Sequence, residues 1–137
     1  MGIFSSFDIS ASGLFAQRTR LDVIACNIAN AETTRTAEGG PYARRQVVFA
    51  EALRALAGAT GAGVEVVEIA VDSAPPNVVY DPDHPDAGPS GYVALPNVNV
   101  VEEMTDMVAA TRSYEANVAA MNAAKSMFQS ALDLGRG

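Results

Sequence analysis

Apolar residues recur with a helical period at both ends of the chain, and between those ends the pattern breaks into short alternating runs. Over residues 5–31 no proline interrupts the chain, and Phe7, Leu14, Leu21 and Ile28 fall seven residues apart. Ile24 and Ala31 occupy the companion row three positions on, where Ser10 and Gln17 also stand, so this seam is imperfect. The spacing predicts one amphipathic helix of about six or seven turns. Gly13 costs that helix roughly 1 kcal/mol relative to alanine, but it also permits close approach of a neighbouring helix.

The second helical zone is clearer. Met104, Thr111, Val118, Lys125 and Leu132 make one seven-residue row and Met107, Tyr114, Met121 and Phe128 the other, with only Thr111 and Lys125 out of character. Asn99 followed by Glu102 resembles a capping box. Glu102, Glu103 and Asp106 place negative charge at the positive end of the helix dipole, so the helix is expected to start near Asn99. Gly135 and Arg136 supply the stop, the glycine free to turn left-handed and the arginine complementing the negative end.

Between the helices, residues 42–49 and 64–71 are rich in Val, Ile and aromatics with local alternation, and predict two strands. Residues 49–56 are compatible with a short helix, and Gly58, Gly61 and Gly63 mark a flexible loop before the second strand. Residues 77–80 and 91–95 flank a stretch rich in Asp and Pro, which predicts a hairpin with a long loop. The expected fold is therefore mainly α with a small β-rich middle segment, its long N- and C-terminal helices pairing as a coiled coil. The segments are 1–33 (N-terminal helix), 34–96 (β-rich, with loops) and 97–137 (C-terminal helix).

Size turns this pattern into an argument about assembly. A helix over residues 99–134 is about 54 Å long, whereas a compact domain of 137 residues is roughly 37 Å across. Such a helix overhangs any globule the chain can build, and its apolar stripes call for partner surfaces. The length fits one domain rather than two independent cores.

The net charge of -7 opposes phosphate neutralisation, so nucleic acid is not an expected partner. No run of residues is apolar enough to span a bilayer, and neither a basic leader nor a hydrophobic signal core stands at the N-terminus. Residues 1–6 match the myristoylation pattern, which acts only in hosts carrying the transferase. A single cysteine, Cys26, and a single histidine, His84, exclude an internal disulfide and a zinc module.

Candidate chemistry is sparse. Asp81, Asp83, His84 and Asp86 could offer ligands to a cation, but Pro85 and the absence of a glutamate twelfth in line break the calcium-loop pattern, and the expected reading is a solvated turn. His84 between prolines and Cys26 within a helix do not fit a nucleophile-base pair. The spacing of Gly58, Gly61 and Gly63 inverts the dinucleotide fingerprint. Arg44 and Arg45, on an expected strand, point to opposite faces and suit surface salt bridges. The four methionines of the C-terminal helix read as core rather than as a binding groove. No catalytic, cofactor or metal site is expected, and no enzymatic activity.

Two separated motifs carry a resemblance. Residues 14–31 with their Asn27-Ile28-Ala29-Asn30-Ala31 core, followed by Thr33-Thr34 and Gly40-Pro41-Tyr42, are similar to the N-terminal signature of the axial rod and hook proteins of the bacterial flagellum. Residues 96–104 and Arg112-Ser113-Tyr114-Glu115-Ala116-Asn117 are similar to that family's C-terminal signature, and Tyr80-Asp81-Pro82 with His84-Pro85 and Gly91-Tyr92-Val93 resembles a proximal rod member. Cys26 stands where the family commonly has serine.

The resemblance implies a structural subunit of the proximal rod, the drive shaft of the basal body in the periplasmic space, exported through the flagellar type III apparatus without a cleaved signal peptide. It implies as partners copies of the chain itself, the other proximal rod proteins and the basal ring complex. The expected assembly surface comprises Leu14, Leu21, Ile24, Asn27, Ile28 and Asn30 on the first helix. On the second it comprises Met104, Met107, Arg112, Tyr114, Asn117, Val118, Met121, Phe128 and Leu132. The asparagine amides either specify register when buried or face solvent, and the sequence leaves both open. A helical adaptor or secretion-chaperone-like module is the competing class, and a pocketed enzyme built on His84 the third.

Overall fold

The computed structural model describes residues 3–52 and 63–135, with side chains described from Ser5 onward. Helix α1 covers Ile3–Ala29, strands β1 and β2 cover Arg45–Ala52 and Gly63–Val71, β3 and β4 cover Asn77–Tyr80 and Tyr92–Leu95, and α2 covers Val100–Leu134. Two long helices frame a small antiparallel β segment, as the periodicities predict. At 1.5 Å per residue α1 is about 40 Å long and α2 about 52 Å.

Local chemistry sets the helix ends. Asn30 closes α1: its Nδ2 donates to the Cys26 carbonyl at 2.9 Å and its Oδ1 accepts from the Thr33 hydroxyl at 3.2 Å. Asn99 caps α2 from an extended backbone, accepting from the Val101 N–H at 3.1 Å. At the far end the expected left-handed glycine is absent. Gly135 keeps right-handed φ -78 and donates to the Ala131 carbonyl. Arg136 lies outside the described residues.

The two hairpins are separate sheets. β1 pairs antiparallel with β2, from Arg45 opposite Val71 to Ala52 opposite Gly63, with a bulge beside Phe49. The first strand thus starts later than expected and continues through Ala52, where a short helix was expected. Its partners Val66, Glu65, Val64 and Gly63 supply a ladder that local helix propensity cannot match. Residues 53–56, Gly58 and Gly61 lie outside the described residues. Gly63 belongs to the strand rather than a loop: the Ser12 hydroxyl accepts from the Val64 N–H at 3.1 Å, and a Cβ on Gly63 would stand 2.6 Å from that oxygen. β3 pairs with β4, Asn77 opposite Leu95 and Tyr80 opposite Tyr92, which confirms the long-looped hairpin. Gly91, at φ +77, passes against the Tyr80 ring where a Cβ would be 2.8 Å away.

α1 and α2 run antiparallel. Gly13 lies opposite Asn117, whose amide would be 3.1 Å from any added Cβ, so the small residue does permit the close approach. Buried and half-buried positions of α2 follow two heptad rows. One is the expected Met107, Tyr114, Met121 and Phe128. The other is Glu103, Ala110, Asn117 and Ala124, one residue before the expected Met104, Thr111, Val118, Lys125 and Leu132. The small side chains bring the axes close. In the displaced row Met104, Thr111, Lys125 and Leu132 are exposed and only Val118 is half-buried. In α1 the innermost residues are Ala16, Val23, Ile24 and Asn27, while Phe7, Leu14, Leu21 and Ile28 are half-buried at the flank.

The β1–β2 hairpin lies along α1, and Val93 of β4, 2% exposed, lines a cleft with Thr34, Gly40 and Pro41. Among the described residues the buried apolar core is small: Ala16, Val23, Ile24, Tyr42, Val93, Pro96, Ala110 and Ala124. The chain exposes 9447 Å², against about 6,800 Å² for a compact monomer of this mass. Excess surface of this size, carrying exposed Phe15, Val67, Val71, Val101 and Met104, calls for partner surfaces.

Candidate functional site

The deepest polar groups sit where the end of α1, the start of β1 and the first turn of α2 converge. Asn27 and Glu103 are each 1% exposed. Helix spacing puts Asn27 on the same face as Val23 and Ile24, and the Asn99 cap orients the first turn of α2 so that Glu103 points at it. Asn27 uses both ends of its amide. Its Nδ2 donates to Glu103 Oε2 at 3.0 Å and to the Arg45 carbonyl at 2.8 Å. Its Oδ1 accepts from the Tyr42 hydroxyl at 2.9 Å and the Arg45 N–H at 3.0 Å.

Glu103 is neutralised on its other oxygen by Arg44, whose Nε donates to Oε1 at 2.6 Å. Arg44 also approaches Asp72 at 3.7 Å and Asp106 at 3.8 Å, and its backbone N–H donates to Asn97 Oδ1 at 2.8 Å. Burial works against the Arg44 charge, but the Glu103 hydrogen bond and the three carboxylates outweigh it and hold its pKa above the ordinary guanidinium value. Burial likewise raises the pKa of Tyr42, with the Arg45 guanidinium, 5.8 Å from the ring centre, pulling the other way. Every polar atom at the centre has a partner, so the network holds four segments in one arrangement. Beside it lies an open cleft of about 310 Å³ lined by Arg20, Phe49 and Asp106 among others.

This arrangement is a joint. The hydrogen-bond partners of Asn27 are the Arg45 backbone, Glu103 and the Tyr42 hydroxyl, and no group of three or more His, Cys, Asp or Glu side chains that could hold a metal exists among the described residues. The Asp81–Asp86 stretch is tied down more firmly than a solvated turn. Asp86 accepts from the Thr34 hydroxyl at 2.7 Å and pairs with Arg35 at 2.8 Å, while His84 Nδ1 accepts from the Asp86 N–H. Cys26 is exposed. No helix among the described residues is long and apolar enough to cross a membrane.

The expected assembly residues divide in two. Ile24 and Asn27 are buried, and Leu14, Leu21, Ile28, Asn30, Met107, Tyr114, Asn117, Val118, Met121 and Phe128 are half-buried, so most already touch the chain itself. Met104, Arg112 and Leu132 stand exposed. Of the three asparagines left open, Asn27 is the buried one, Asn30 ends the helix, and Asn117 donates to the Ser113 carbonyl while resting on Gly13. Sequence reasoning missed Tyr42, Arg44 and Glu103. Arg44 had been read as a surface residue and Glu103 as a dipole complement. The signal available was their place within or beside the two terminal motifs.

Those motifs are what known proteins share with the chain. Residues 7–35 match the family described as "Flagella basal body rod protein", and residues 90–134 match "Flagellar basal body rod FlgEFG protein C-terminal". The chain is 47% identical to the flagellar basal-body rod protein FlgC of Borreliella burgdorferi over 100% of both chains. It is 45% identical to FlgC of Bacillus subtilis and 44% to that of Escherichia coli O6:H1, covering 99% of this chain and 100% of each relative.

Proposed function

The chain belongs to the flagellar basal-body rod protein family, and from that premise we propose that it is the FlgC-type subunit of the proximal rod, a structural element that assembles through its terminal helices. Its role is mechanical; the family is structural and the chain is not an enzyme. The observation that carries the reading is the Asn27–Glu103 contact, in which the N-terminal and C-terminal family motifs are buried against each other. A drive shaft needs stiffness, and a fully satisfied polar joint at the base of two long helices supports it.

Copies of the chain, the other proximal rod proteins and the basal ring complex are the proposed partners, met in the periplasmic space after type III export without signal cleavage. The large exposed apolar surface supports assembly with such neighbours. Export through a narrow channel also favours helices that are firm only near the joint. Amide exchange of the dilute monomer should then show protection around Asn27 and Glu103 that falls away toward both termini, and strong protection of both terminal segments refutes this point.

The test of the function is an in-frame deletion in the native host, scored for motility and by electron microscopy of isolated basal bodies. Rings without a rod, restored by the intact gene, are expected. A complete rod in the deletion strain overturns the reading.

A further inference from the structure

The outward face of α1 is a second heptad stripe that the intramolecular pair leaves uncovered. Asp8, Ala11, Phe15, Arg18, Asp22, Ala25 and Ala29 follow the alternating three-and-four spacing, and all are exposed, Phe15 by 67%. The displaced row of α2, from Met104 to Lys125, is an exposed stripe on the flank of the other helix, one residue from its inner row, with Val118 half-buried. Subunits arranged side by side in one orientation bring α1 of one copy beside α2 of the next, and the two helices are then antiparallel, as they are within a chain.

One register satisfies both stripes. With Arg18 set opposite Glu115, Phe15 meets Val118 and Ala25 meets Val108. Asp22 then faces Thr111 with Arg112 beside it, and Asp8 faces Lys125 at the far end. At these levels opposite charges meet and apolar residues meet. A slip of one heptad either way sets Arg18 against Val108 or Asn122 and Asp22 against Met104 or Val118, so the charge pairing is lost.

Resting on the rod reading, we infer that the outer face of α1 binds the exposed flank of α2 on a second copy of this chain, in the antiparallel register that sets Arg18 opposite Glu115. Within one chain Gly13 faces Asn117 and Asn27 faces Glu103, which sets Arg18 level with Arg112. The intermolecular register is therefore displaced by about three residues, an axial step of about 4.5 Å. A head-to-tail contact with an axial step cannot close into a ring and builds a helix.

The test is disulfide trapping in intact basal bodies from a strain whose only copy of the chain carries Cys26→Ala, Arg18→Cys and Glu115→Cys. Oxidation should give covalent dimers and higher multiples, while a control with Arg18→Cys and Asn122→Cys, one heptad off, stays monomeric. A ladder from the control alone, or none from either when the chain is present in basal bodies, overturns the register. A second measurement covers variants that do not assemble. Arg18→Glu and Glu115→Arg should each lower the yield of rods several-fold and together restore it; an unrestored double variant overturns the contact. Absence of the wild-type chain from basal bodies would instead overturn the rod reading itself.

Discussion

Removing the Asn27 side chain should cost the fold far more than its size suggests. Asn27→Ala strips partners from the Tyr42 hydroxyl, the Arg45 N–H and carbonyl, and one oxygen of Glu103. At about 1 kcal/mol per lost hydrogen bond the sum approaches 4 kcal/mol. Water entering the adjacent cleft recovers part of it, which leaves about 3 kcal/mol. With a urea m-value of about 1.5 kcal/mol/M the unfolding midpoint, read by helical circular dichroism, should fall by about 2 M. Asn27→Asp separates polarity from size. It sets a carboxylate where an amide now lies 3.0 Å from Glu103 Oε2, and two such charges cannot both ionise cheaply. That variant should be least stable at neutral pH and recover on acidification, as one carboxyl binds a proton in the folded state before it does so unfolded. A midpoint shift below about 0.3 M for the alanine variant, or an aspartate variant indifferent to pH, refutes the joint as a determinant of the fold.

Other consequences can be checked separately. Arg44→Ala leaves the Glu103 carboxylate buried with only the Asn27 amide, so it should destabilise by roughly 3–5 kcal/mol, and adding Glu103→Gln should relieve much of this in urea unfolding. Gly13→Val must push Asn117 away and should cost about 1–3 kcal/mol despite better helix propensity than glycine, seen as a lower thermal midpoint; an unchanged midpoint shows that the helices do not meet there. Gly91→Ala meets both a positive φ and the Tyr80 ring, and should lose about 2 kcal/mol together with the near-ultraviolet signal of the edge-on Tyr80–Tyr92 pair. Tyr42 ionises later when folded than unfolded, so its stabilisation is complete below the ordinary tyrosine pKa of 10.0 and is lost as pH rises through the raised value. Phenolate absorbance should show a late-titrating component that Tyr42→Phe removes.

Elements with strong, local periodicity were legible in the sequence. The start of α2 follows from Asn99 and the acidic residues after it, and the β3–β4 hairpin from two apolar runs around a loop where proline forbids a strand. What failed depended on partners distant in sequence. Residues 49–52 join β1 because β2 pairs with them, and no local pattern announces that. The inner row of α2 was displaced by one residue because large apolar side chains were taken to mark the interior. In a close helix pair alanine and asparagine occupy the seam, and Met104 and Val108 are left for the outside. Thr111 and Lys125, out of character in the expected row, were the available sign. Glu103 was invisible for the opposite reason: a carboxylate in a first helical turn has a sufficient exposed role, and its burial under Arg44 arises only from the packing of distant segments.

The displaced row and the buried joint explain each other. A seam built from Gly13, Ala16, Ala110 and Ala124 lets two helices approach closely, but such a smooth surface does little to fix one axial alignment over the next. A slip of one heptad separates Glu103 from both Asn27 and Arg44. It leaves a buried amide and a buried carboxylate without these partners, a loss of several kcal/mol that apolar contacts between alanines cannot offset. The joint is thus a register pin at one end of the helix pair, and its rigidity reaches outward. The α1 stripe and the α2 stripe offered to neighbours keep a constant axial offset only while the inner register holds. An error of one heptad inside a subunit, about 10 Å, would exceed the axial step of about 4.5 Å between copies. A purely apolar seam could be as stable, yet it would not carry a fixed step from one subunit to the next, which is the property a rotating shaft requires of its building block.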